Sequence, residues 1–395
     1  MNETIPEMEF LLGALHSQPR VSQDLCRQVN WVRLLVLVHR HSVVTLLYSR
    51  ISNESHVKVP AAGRSLIHAE ALKKIGASLA PTRELLWVLS RFEESGIAVI
   101  PFKGAVLSAQ LYGEPARRDF SDIDLLVKPE DWRRARELLE KSGFKGPGQV
   151  GSERAHVFPM QRRVTVELHR SLMDDWFFFN LSADKLLERL VPVRVENQTV
   201  WTLSAEDNAV FLCAHGGKHR WSRLGWVCDI AALLTRSPLD WDVVLQRART
   251  EDAVRMVRLG VYLAATLLGC PLAPEVRAEV VGDPATVRLG TQIVAERYRT
   301  GTKRKEVFLH GKETSKYYIA IRERYRTRLW YCLFLIWYRC QPTGKDVSVL
   351  PLPRMLHMLY YFLRPFRVVR EYGWESVRSY VGQFVRILVG SRRPV

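Results

Sequence analysis

Cysteine is sparse in this 395-residue chain: Cys26, Cys213, Cys228, Cys270, Cys332 and Cys340 form no Cys-x-x-Cys pair. A disulfide framework of the small secreted kind is excluded for a chain this long, and buried free thiols are expected. Long apolar runs are missing as well. The longest strongly apolar stretch, Leu329 to Tyr338, is roughly half of what a bilayer crossing needs, so no transmembrane segment is expected. The opening residues MNETIPE are acidic and lack the basic start and apolar run of a signal peptide. A cytoplasmic protein is expected, with peripheral contact at the membrane left open. Internal repeats and low-complexity tracts are also lacking. In the last quarter the scarce component is negative charge: residues 301–395 hold 19 Lys+Arg against 6 Asp+Glu, which is +13 of the total of +17. That imbalance implies an anionic partner, whether a phosphate-bearing substrate, nucleic acid or an acidic lipid surface.

Apolar residues make up 47% of the chain and charged ones 25%, the balance of a folded protein rather than a disordered one. The length suggests two or three packed units. Residues 1–80 read as helices, with apolar positions at helical spacing over Glu7 to Leu15 and Trp31 to Ile51. Pro81 is expected to open an amphipathic helix that Gly96 ends. The texture then changes to short strands at Ile97–Ile100 and Ile123–Val127. Helices are expected over Ala105 to Tyr112 and Glu130 to Ser142. Hairpins are expected across Gln161-Arg162 and between Val191 and Leu203. Ser204 is an N-cap candidate for a helix that begins a second helical region. The fold class expected is α+β: a small mixed sheet in residues 81–203, a helical partner region in 204–300, and a basic aromatic helical region in 301–395.

The chemistry concentrates at Asp122 and Asp124. Residues two apart on a strand point to one face, so these carboxylates project together while Ile123 and Leu125 turn inward. Two adjacent carboxylates repel unless a cation lies between them, and hard divalent ions favour such oxygen ligands. Glu167, on the alternating run from Val164 to His169, is a candidate third carboxylate. Upstream, Lys103-Gly104 falls at a strand-to-helix junction where backbone N–H groups and a lysine can cradle phosphate. Arg117 and Arg118 add cations between that turn and the acids.

The run from Phe102 through Lys103-Gly104, Leu111-Tyr112, Arg117-Arg118 and Asp122-Ile123-Asp124 resembles the uncharacterised bacterial nucleotidyltransferase family of the DNA polymerase beta-type superfamily. Val166-Glu167-Leu168-His169 and the stretch from Ala214 to Asp229 fit the same pattern. The resemblance covers roughly Leu85 to Leu234. It implies a nucleotidyltransferase core with a helical partner domain, an NTP donor, and Mg²⁺ or alternatively Mn²⁺. It also implies Asp122, Asp124 and Glu167 as metal ligands and catalytic acids. One feature departs from the superfamily: its Gly-Ser turn about a dozen residues before the first Asp is here Lys103-Gly104, with 17 residues intervening.

In the partner region His215, Lys218 and His219 crowd together, and the two histidines share a helix face. No Glu follows the first histidine as the zinc-protease motif requires, so the expectation is a substrate-cleft wall, with Asp229 anchoring these cations or lying in the cleft. His169 is expected beside Glu167 as support for the acids. The function expected is NMP transfer from an NTP to an unidentified acceptor with release of pyrophosphate. The alternatives are a catalytically inactive nucleotide-binding or regulatory module and a membrane-surface scaffold acting through residues 301–395, where basic and aromatic residues interleave as they do in contacts with anionic lipid or single-stranded nucleic acid.

Overall fold

The computed structural model describes residues 4–53, 59–145, 155–159, 164–179, 181–299, 312–341, 344–372 and 378. The chain divides into two compact units, Met1–Arg304 and Lys305–Val395.

The first unit opens with α1 (Pro6–Leu15), α2 (Gln23–Gln28), α3 (Trp31–His41) and α4 (Val44–Asn53). Polar caps set the starts of α2 and α3. The Ser22 hydroxyl accepts from the N–H of Leu25, and Asn30 accepts from the N–H of Arg33. The next helix, α5 (Ala61–Glu94), corrects the expectation at Pro81, which lies inside it instead of at its start. An interior proline removes one backbone hydrogen bond. Here apolar packing on both sides outweighs that loss, with Ile67 and Ala71 buried before Pro81 and Leu85, Leu86, Val88 and Phe92 after it. The Thr82 hydroxyl adds a bond to the Ser78 carbonyl at 2.7 Å.

The sheet region follows as β1 (Val99–Pro101), α6 (Gly104–Tyr112), β2 (Asp122–Val127) and α7 (Trp132–Lys141). It continues with β3 (Ala155–Pro159), β4 (Thr165–His169), α8 (Ala183–Leu187), β5 (Val191–Val195) and β6 (Gln198–Thr202). Four strands pair in the order β1-β2-β4-β3, with β2 and β4 parallel and the two outer pairings antiparallel. The hairpin expected between β3 and β4 forms, and its turn at Gln161-Arg162 lies outside the described residues. From Ile123 to Val127 every residue of β2 is buried, as a central strand covered on both faces requires. Phe92, Val106, Leu139, Val166 and Leu168 fill the space around it. The second sheet, β5 with β6, is joined to the first where the Thr202 hydroxyl donates to the Pro101 carbonyl at 2.6 Å.

Six helices complete the described part of this unit: α9 (Ala205–Lys218), α10 (Leu224–Arg236), α11 (Trp241–Thr250), α12 (Val254–Leu268), α13 (Pro274–Val281) and α14 (Pro284–Arg297). Ser204 caps α9 by accepting from the N–H of Asp207, as its position suggests. Trp221 is fully buried, and a Cβ at Gly216 would come within 2.6 Å of its ring, so α9 needs glycine there. His41 at the end of α3 accepts the N–H of Leu224 on Nδ1 at 3.1 Å, which ties the N-terminal helices to α10.

The second unit holds α15 (Lys312–Ala320), α16 (Tyr325–Cys340), α17 (Gly344–Val349) and α18 (Leu359–Tyr372). The helical region expected over 301–395 thus breaks, among its described residues, between residues 320 and 325. Buried Asp346 holds α17 to α18 by ion pairs with Arg364 at 3.0 Å and Arg367 at 2.6 Å. Among the described residues no helix is long and apolar enough to cross a membrane. Cys26, Cys213, Cys228, Cys270 and Cys332 are buried free thiols.

Candidate active site

The parallel register of β2 and β4 sets Asp124 directly opposite Glu167. Two facing carboxylates on neighbouring strands concentrate negative charge, and the surrounding residues answer it. Lys103 Nζ lies 2.7 Å from Asp124 Oδ1, and His169 Nε2 lies 3.1 Å from the same oxygen. The same His169 nitrogen is 3.5 Å from Glu167 Oε2. Asp124 is 5% exposed, whereas Asp122 and Glu167 are half-buried, so the acids open to solvent on one side only. Burial disfavours ionisation of Asp124, but the charge of Lys103 and the bond from His169 overcome it and hold the carboxyl well below its usual range. Asp122 moves the other way. Burial, together with the charges on Asp124 and Glu167, raises it. His169 stays above its usual value despite burial, because it bonds both acids.

Lys103 reaches Asp124 because of the turn that follows it. Gly104 opens α6 with φ of +54°, and a Cβ there would meet the Asp122 carbonyl oxygen at 3.2 Å. A side chain there is strained by the left-handed conformation and crowded against that carbonyl. The turn therefore packs directly on the start of β2.

The two arginines part company. Arg118 turns inward, and its Nε donates to Asp229 Oδ2 at 2.9 Å, while the Tyr112 hydroxyl donates to Asp229 Oδ1 at 2.9 Å. Arg118 also feels the charge of Asp124. Arg117 turns away, donating two hydrogen bonds to Glu114, both 2.9 Å, and one to the Ser49 hydroxyl. The loop that carries both is fixed by Ser108, whose hydroxyl donates to the Glu114 carbonyl and accepts from the N–H of Arg118. Thr45 at the start of α4 holds the Arg117 carbonyl at 2.7 Å. Buried Asp229 is thus a partner of Arg118 and Tyr112, with 1% of its surface exposed.

An aromatic chain joins the acids to the helical region. Phe102 packs edge-on to His169 at 5.2 Å and to Phe211 at 5.4 Å. Phe211 meets His215 at 5.8 Å, and His215 meets His219 at 4.7 Å and Trp226 at 5.3 Å. Burial, with Lys103 next in effect, holds His215 well below its usual range, so it is a neutral imidazole at pH 7. Lys218 pairs with Asp174 at 2.8 Å. The structure therefore brings Lys103, Asp124, Glu167 and His169 into contact, with Asp122 and Arg118 within charge range and His215 along the aromatic chain. Sequence reasoning misses Tyr112, Asp174 and Phe102 as parts of this network. Phe102 and Tyr112 stand in the run that carries the family resemblance, whereas Asp174 has no such signal.

Among the described residues, one oxygen each from Asp124 and Glu167 and one nitrogen from His169 lie within 4.8 Å of one another, a spacing that suits a single cation. Two carboxylates and an imidazole suit a divalent ion, with the carboxylates the harder donors. Asp122 is outside this trio. The enclosed recess beside Lys103, Asp122 and Asp124 measures about 10 Å³, space for a water and no more.

A four-stranded mixed sheet with facing acids on its central strands, flanked by helices, defines an α+β protein with a candidate cation centre. The chain belongs to the family described as uncharacterised nucleotidyltransferase, whose model matches residues 27–269. Similar solved structures include the lincosamide antibiotic adenylyltransferase LnuA in its lincomycin-bound form, at 16% identity and a TM-score of 0.31, covering 39% of this chain and 97% of that one. Another is an antigenic nucleotidyltransferase-like protein from Paracoccidioides brasiliensis, at 14% identity and a TM-score of 0.28, covering 52% of this chain and 97% of that one. No curated protein matches the chain.

Proposed function

We propose that this protein transfers a nucleoside monophosphate from an NTP to a hydroxyl or phosphate acceptor and releases pyrophosphate. The observation that carries the reading is the register of Asp124 on Glu167 with the Lys103 ammonium 2.7 Å from the first of them. Mg²⁺ or Mn²⁺, held by Asp124 and Glu167 with Asp122 at the open side, would neutralise and orient the triphosphate. His169 positions both carboxylates through one ring nitrogen, Nε2. Lys103 and Arg118, both within charge range of Asp124, would balance phosphate charge. Neutral His215, with Lys218 and His219, forms the far wall. Residues 81–203 supply the catalytic acids in this reading, and 204–300 the wall. Incubation of the full chain with labelled NTPs, Mg²⁺ and cell extract tests it. Label should move to one acceptor class in wild type and not in Asp124→Asn.

A second reading, nucleotide binding without turnover, is favoured by one observation: Lys103 already neutralises Asp124. It expects bound nucleotide and no pyrophosphate.

The second unit supports a peripheral role. On α16, Leu329, Trp330, Leu333, Ile336 and Trp337 are exposed at helical spacing, with Trp330 and Trp337 each 57% exposed. Arg324, Arg326 and Arg328 stand at the start of the same helix. An apolar aromatic stripe with flanking arginines suits the surface of an anionic bilayer better than a nucleic acid, where the leucines and isoleucine would have no partner.

A further inference from the structure

A carboxylate as buried as Asp229, with 1% of its surface exposed, needs a partner for each oxygen. The Tyr112 hydroxyl supplies one and the Arg118 Nε the other, both at 2.9 Å. The arginine is thereby fixed at two points, since its backbone N–H also donates to the Ser108 hydroxyl at 3.0 Å. Its terminal nitrogens, Nη1 and Nη2, carry no hydrogen bond among the described residues, and 15% of the side chain meets solvent.

Burial works against the guanidinium charge. Asp229, and more weakly Tyr112 and Asp124, outweigh it and hold the group above its usual range. Arg118 is within charge range of Asp124 in the sheet and of His215 on α9. A guanidinium engaged only through Nε keeps two terminal donors, whose planar geometry suits phosphate oxygens. Fixing the side chain beforehand removes the ordering cost that an arginine on a free stem would meet on binding.

We propose that Asp229 and Tyr112 are positioning residues that hold Arg118 ready for the triphosphate of the donor nucleotide, with Nη1 and Nη2 as the contacting donors. The proposal rests on the transferase reading and adds the residues that act through Arg118. Helix α6 links the two cations of that reading, because Lys103 precedes its first residue and Tyr112 is its last. Asp229 belongs to α10, so the helical region takes part in phosphate binding through a buried carboxylate.

Inorganic triphosphate with Mg²⁺, titrated calorimetrically into the full chain, reads phosphate affinity without a base. Arg118→Gln should weaken binding at least about tenfold, as loss of charge-assisted contacts does. Asp229→Asn, which keeps the side-chain shape and removes the charge, should weaken it several-fold. In the Arg118→Gln background the same change should have no further effect, because it acts through the arginine. Tyr112→Phe removes one donor to Asp229; it should give a smaller loss of the same kind and carries the test if Asp229→Asn does not fold. A purely structural ion pair predicts a lower urea midpoint with wild-type affinity in the folded variants, and that result would overturn the proposal. So would an equal loss from Asp229→Asn with and without Arg118, or absence of triphosphate binding in wild type. Pyrophosphate release from an NTP is the separate readout. Release by wild type, with normal triphosphate binding in Arg118→Gln, would sink this proposal and spare the transferase reading; binding that depends on both residues, without release, would do the reverse.

Discussion

At the scale of single residues, the claims rest on one buried carboxylate and what neutralises it. Asp124 keeps its charge because Lys103 and His169 both reach the same oxygen. Removing one partner of a buried ion pair leaves the other uncompensated, a loss on the order of 3 kcal/mol. Lys103→Met should therefore destabilise the protein by about that amount in urea unfolding, and the double variant Lys103→Met, Asp124→Asn should recover much of it. Equal losses in the single and double variants would show that the pair does not act as a unit. Gly104→Ala should cost about 1–2 kcal/mol on the same measurement, from a left-handed conformation and a crowded carbonyl. At this scale the acids were legible in the sequence, because strand alternation alone puts Asp122 and Asp124 on one face. The fate of the two arginines was not. Adjacent cations separate here through bonds to Asp229, more than a hundred residues away, and to Ser49 on another helix.

At the scale of elements, local rules succeeded where tertiary packing agreed with them. Ser204 caps its helix, and the apolar run after Asp122 becomes a buried central strand. They failed at Pro81, where a good helix-start residue is carried inside a 34-residue helix by the apolar contacts on either side. The junction of α3 and α10 was illegible for a similar reason: its one bond joins residues 183 apart in sequence. That junction has a pH signature. Burial, and secondarily Arg40, lowers His41 from 6.5 to about 4. The unfolded chain therefore takes up a proton near pH 6.5 that the folded chain refuses until about pH 4. The stability is full above pH 6.5 and falls by up to about 3 kcal/mol as the pH drops across that window. His41→Asn, which keeps an acceptor for the Leu224 N–H, should flatten this dependence between pH 7 and pH 5 in urea midpoints. An unchanged slope would show that His41 is not the group responsible.

At the scale of the whole molecule, two compact units carry different chemistry. Met1–Arg304 holds the acids and the whole of the family match. Lys305–Val395 holds most of the excess positive charge and the exposed aromatic stripe. The charge asymmetry was plain in the composition, whereas the break between α15 and α16 was not, since the sequence across it keeps the same basic and aromatic texture. Full-length protein should co-sediment with vesicles containing phosphatidylserine, and less so in high salt. Trp330→Ala with Trp337→Ala should lower the bound fraction several-fold. Equal sedimentation with neutral vesicles would reject the electrostatic part of that account. The central claim concerns the first unit and is tested most directly by pyrophosphate release from NTPs with Mg²⁺ or Mn²⁺, in wild type and in Asp124→Asn and Glu167→Gln proteins shown to be folded. The expected result is cation-dependent release in wild type and a loss of at least about a hundredfold in each variant; release that persists in both folded variants, or that ignores the cation, would contradict it.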